Sequence, residues 1–99
     1  MGIVLSDAAR RLDAVRELSK RVSSSAEVVP VLAEVVKTDE NSFVRRDAAA
    51  ALGAIGADAR PAFSVLLAAR KDRENSVRRA VGQALKKIDP EAAAKAGVR

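Results

Sequence analysis

"ENSFVRR" at Glu40 to Arg46 returns, one residue shorter, as "ENSVRR" at Glu74 to Arg79, and the fold depends on what kind of unit carries this echo. Extended outward, "PVLAEVVKTDENSFVRRDAAAALGAIG" (Pro30 to Gly56) aligns with "SVLLAARKDRENSVRRAVGQALKKID" (Ser64 to Asp89). Val31, Leu32 and Lys37 match Val65, Leu66 and Lys71 at an offset of 34, whereas Val44, Arg45, Arg46, Leu52 and Ile55 match Val77, Arg78, Arg79, Leu85 and Ile88 at 33. The echo places the lost residue at Phe43, in a turn, where a deletion costs least. Similarity over two whole segments indicates a repeated supersecondary unit and not a local catalytic motif.

Each unit reads as helix, turn, helix. Val44, Ala48, Ala51, Leu52 and Ile55 recur at three- and four-residue spacing, as do Val77, Val81, Ala84, Leu85 and Ile88, so each second helix carries one apolar face. Asn41 or Ser42 is placed to cap the first of these helices, Asn75 or Ser76 the second, and Gly56 to end the first. The first helices are "AEVVPVLAEVVK", preceded by a Ser24 to Glu27 capping box, and "ARPAFSVLLAARK", with Asp58 as a candidate cap. Pro30 falls inside its helix, where a bend is expected. Upstream, Arg11, Asp13, Ala14 and Leu18 meet Arg45, Asp47, Ala48 and Leu52 at an offset of 34, which marks the second helix of an earlier half repeat. Downstream, Asp89 caps, Pro90 opens and Gly97 stops a short closing helix.

The expected organisation is one domain over residues 1–99: a half-repeat helix at 7–22, repeats at 24–56 and 58–89, and a capping helix at 90–98. "VRRDAAAALGAIG" and "VVPVL" resemble HEAT repeats, in particular the short, phycobilisome-lyase-like kind. The resemblance implies an all-α fold, a right-handed α-solenoid of antiparallel helix pairs with about five helices, whose second helices line a concave binding surface. It also implies that Arg45 and Arg78 pair with acids of neighbouring turns to form an inter-repeat ladder. Asp39 is the expected acid in the first unit. In the second, the echo aligns Asp39 with Arg73 and leaves Asp72 one residue early, so the ladder has no aligned acid there.

Composition narrows the function. The sequence has no Cys and no His, which removes thiolate nucleophiles, imidazole bases and most transition-metal sites. The remaining Ser, Lys, Asp and Glu form no catalytic constellation, so the expectation is a non-enzymatic protein without cofactors. The apolar run "GIVL" is too short for a signal core or a membrane span, and a cytoplasmic protein is expected. The pattern M-G-x-x-x-[ST] in "MGIVLS" matches an acylation signal weakly.

Charge is uneven: counting Lys and Arg against Asp and Glu gives about +2 for residues 1–25, −2 for 26–57 and +5 for 58–99. Arg46 and Arg79 lie about 100° round the helix from the ladder arginines and should face solvent. With Arg16, Gln83 and Lys86 they form a candidate binding stripe, although Lys86 and Lys87 are also favoured by the C-terminal end of a helix dipole. The primary expectation is a protein-interaction scaffold. The alternative is phosphate-directed nucleic-acid binding, against which stands the absence of Tyr, Trp and His for base stacking. An apolar flank at Leu12, Val15 and Leu18 suggests homo-oligomerisation through the N-terminal helix.

Overall fold

The computed structural model describes residues 10–15 and 25–99, and all regular structure among them is helical. Helix α1 is described over residues 10–15. It is followed by α2 (Ser25–Thr38), α3 (Ser42–Ile55), a 3-10 helix (Gly56–Ala62) continued by α4 (Phe63–Ala69), α5 (Asn75–Ile88) and α6 (Pro90–Lys95). Arg16, Leu18 and Ser24 lie outside the described residues.

The first helices α2 and α4 pack on each other, the second helices α3 and α5 do likewise, and each first helix packs on its own second helix. Both apolar faces read from the sequence are buried, except that Ile55 is half-buried. Leu32, Leu52, Leu66 and Leu85 are fully buried, each contributing about 1.5–3 kcal/mol of transfer free energy. Helix α3 buries a second set, Ala49 and Gly53, because it lies between its own first helix and α5. A Cβ on Gly53 would stand 3.0 Å from the Ala84 Cα, so the two second helices meet almost backbone to backbone.

Local chemistry accounts for the helix ends. The Asn41 side chain accepts from the Phe43 and Val44 amides to start α3, and Gly56 ends it with φ 78°. That glycine also interrupts Ser42–Ala69, a stretch apolar and long enough by composition to cross a membrane. Two other cap expectations need correction. Asn75 and Ser76 lie within α5, Glu74 holds the cap position, and no side chain bonds there. Asp58 does not cap the following helix but falls within the 3-10 segment. Pro61 has no N–H and disfavours α geometry at the preceding residue, and α4 starts only at Phe63. Asp89 caps α6 through the Ala92 amide, with Pro90 in the first turn. Gly97, at φ 79°, lets the Gly97 and Val98 amides reach back to the Ala94 and Ala93 carbonyls.

The apolar flank expected at the N-terminal end is covered where it is described. Val15 is 3% exposed and Leu12 packs against the core, so these two residues give no reason for self-association. The largest exposed apolar side chains among the described residues are Val31 and Phe43.

Candidate functional site

Arg45 is the one buried charged residue among those described, 5% exposed, and the turns are organised around it. Its Nε and Nη2 donate to Asp72 Oδ2 and Oδ1 at 2.9 and 3.2 Å. Its Nη1 donates to the Asp39 and Glu40 carbonyls at 2.8 and 3.2 Å. The expected pairing of Arg45 with the Asp39 carboxylate is therefore corrected: Arg45 takes the backbone of its own turn and the carboxylate of the next. The Asp39 carboxylate is held instead by Arg11, Nε to Oδ2 at 2.6 Å and Nη2 to Oδ1 at 3.1 Å.

The ladder thus runs Arg11 to Asp39 and Arg45 to Asp72, each a bidentate charge-assisted pair joining successive units. Its register places the deletion elsewhere than the echo did. Asp39 Oδ1 also accepts from the Asn41 amide, and Asp72 Oδ1 from the Glu74 amide; Asp39 and Asp72 are equivalent, at an offset of 33. The extra residue of the first unit lies before Asp39, at the end of α2. There the Asp39 amide bonds four residues back to the Val35 carbonyl, whereas the Asp72 amide bonds three back to the Ala69 carbonyl. A tighter 3-10 last turn needs fewer residues to reach the same point, which absorbs the deletion without moving the aspartate.

Electrostatics follow from this geometry. Burial alone would raise the Asp39 carboxyl, but the Arg11 side-chain bond, the Asn41 amide and the charges of Arg11 and Arg45 outweigh it and hold the group below its ordinary range. Asp72 is likewise lowered against its burial, by the Arg45 bond, the Glu74 amide and the charges of Arg45 and Arg73. No buried side-chain polar atom among the described residues lacks a partner.

Arg78 is the third equivalent arginine. Its Nη1 donates to the Asp72 carbonyl at 2.6 Å, as that of Arg45 does to the Asp39 carbonyl, but no carboxylate meets it among the described residues. It lines a cleft of about 530 Å³ with Arg70, Arg79, Gln83, Lys86 and Arg99. No acidic side chain stands among the described lining residues. Arg70 is tied down, donating to the Ala96 and Gly97 carbonyls at 3.2 and 3.5 Å, and so fixes the C-terminal turn as one wall. The cleft gathers three of the five residues of the expected stripe: Arg79, Gln83 and Lys86.

Arg46 does not join them. It pairs with Asp47 at 3.1 Å, and its guanidinium lies 5.0 Å from the Phe43 ring centroid, a cation–π contact. Arg16, the fifth, is outside the described residues. Sequence reasoning missed Arg11 as a ladder member, although its offset of 34 from Arg45 was a usable signal. It also missed the approach of Arg70, Arg78 and Arg99, which no local pattern encodes. Among the described residues, no group of three acidic, His or Cys side chains is placed to hold a metal ion.

A family model described as HEAT repeats matches residues 4–86 of the chain. No curated protein and no solved structure matches it.

Proposed function

Because the chain belongs to the HEAT repeat family, we propose that it is a non-catalytic scaffold that binds another protein on the surface lined by its second helices. HEAT repeats generally mediate protein–protein scaffolding. The observation that carries the reading here is the basic cleft on α5: Arg79, Lys86 and Arg99 line it and make no ion pair among the described residues. Unpaired cations on a rigid helix face steer an acidic partner and add to its affinity.

The same cations favour a second reading, phosphate-directed nucleic-acid binding. Such binding would depend steeply on salt and little on sequence. The absence of Tyr, Trp and His leaves no aromatic platform except the two Phe, which argues against base readout. Fluorescence anisotropy of a labelled DNA duplex and an RNA hairpin, at low and physiological salt, separates the two. The protein reading expects nucleic-acid binding to vanish at physiological salt, while a partner recovered by pull-down is lost on Arg79→Glu with Lys86→Glu. Nucleic-acid binding that survives physiological salt, and disappears in that double variant, would overturn it.

A further inference from the structure

We infer that Arg78 is an open rung of the ladder and seats an aspartate carboxylate from a helix-ending turn of another protein. The inference rests on the scaffold reading and specifies the partner's chemistry.

Three observations carry it. The first is pose: Arg45 and Arg78 each donate Nη1 to the carbonyl of the aspartate six residues before them. This bond orients the planar guanidinium in both. In Arg45 the remaining Nε and Nη2 edge grips a carboxylate; in Arg78 that edge has no partner among the described residues, and the residue lines the cleft. A guanidinium already oriented for a fork loses little freedom on binding.

The second observation is the form of the two occupants seen. Asp39 and Asp72 both follow the end of a first helix, and both turn Oδ1 back onto the amide two residues later. A seat that takes this shape twice selects a carboxylate held by its own turn, Asp-x-x after a helix, over a freely rotating anion. The third is charge. Arg70, Arg79, Lys86 and Arg99 line the same cleft as Arg78, with no acidic side chain among the described lining residues, so the charged side chains there favour an incoming carboxylate. A second copy of the chain is a poor occupant, because its two turn aspartates are already held by Arg11 and Arg45.

The test uses the full chain labelled with 15N and a blocked peptide of residues 34–42, EVVKTDENS, which reproduces one rung turn, beside the same peptide carrying Asp39→Asn. The aspartate peptide should shift the Arg78 Nε–H resonance and the amides around Gly97. The asparagine peptide should bind about tenfold or more weakly, since a hydrogen-bonded charge pair is lost. Arg78→Lys keeps the charge but not the fork, and should weaken the aspartate peptide by about ten- to hundredfold, whereas Arg79→Lys should change little. Arg78 is exposed and makes one backbone bond, so both variants should fold, as circular dichroism checks.

Equal binding of the two peptides, or an unchanged affinity in Arg78→Lys, would sink the open rung. Partner binding lost on Arg79→Glu with Lys86→Glu but kept in Arg78→Lys would leave the scaffold reading intact and remove only this inference. A DNA duplex that shifts Arg78 where the peptide does not would assign the cleft to phosphate. A concentration-dependent dimer abolished by Arg78→Lys would give the seat to a second copy.

Discussion

Replacing Asp72 by Ala should destabilise the protein far more than replacing Asp39 by Ala, although the two aspartates hold equivalent rungs. The asymmetry comes from the arginines left behind. The Arg45 side chain is 7% exposed, so without Asp72 its Nε and Nη2 lose both acceptors where water has little access. Breaking a buried pair from one side costs about 3–5 kcal/mol, and the lost bond to the Glu74 amide adds about 0.5–1.5 kcal/mol. The retained carbonyl bonds of Arg45 keep the sum near the lower end. The Arg11 side chain is 41% exposed and rehydrates when Asp39 is removed, so that variant should cost about 1–3 kcal/mol. Against a total stability of about 5–15 kcal/mol for a chain of this length, the first loss leaves a marginal fold and the second does not. Urea unfolding followed by circular dichroism measures both. Substituting Arg45→Met together with Asp72→Leu should recover most of the Asp72→Ala loss, because no uncompensated charge remains buried. Equal costs for the two alanine variants, or a loss below about 1 kcal/mol at Asp72, would refute the claim that burial of Arg45 decides the energetics.

Acid should weaken the fold through the same pair of carboxyls. Both ionise below the ordinary range when folded, so their contribution is fully present above about pH 4. It is lost as pH falls further through the native values, where the unfolded chain binds protons first. Asp72→Asn should flatten this acid limb in a pH series of urea midpoints, and an unchanged slope would count against the ladder as its origin. Gly53→Ala should also destabilise, by about 1–3 kcal/mol through crowding against Ala84, despite a gain in helix propensity of up to about 1 kcal/mol. A raised melting temperature for that variant would show that α3 and α5 separate easily.

The helix pairs were legible because their signals are local. The apolar faces repeat at helical spacing, the caps at Asn41 and Asp89 and the stops at Gly56 and Gly97 act within a few residues, and two similar segments must build two similar units. The echo of "ENS" misled for an equally physical reason. Identity of letters locates a deletion only where the letters do the same work, and Asn41 caps a helix while Asn75 lies inside one.

The sequence by itself determined an all-helical repeat array, its family and the pair of arginines that mark its turns. Only the tertiary structure decided how those arginines are used. Packing of one unit on the next brings Arg45 to Asp72 and Arg11 to Asp39 across 27 and 28 residues of chain. It also draws Arg70, Arg78 and Arg99 around one cleft. Contacts between units depend on where whole helices come to rest against each other. One residue absorbed by a tighter turn is enough to reset that register without leaving a mark that the letters alone can place.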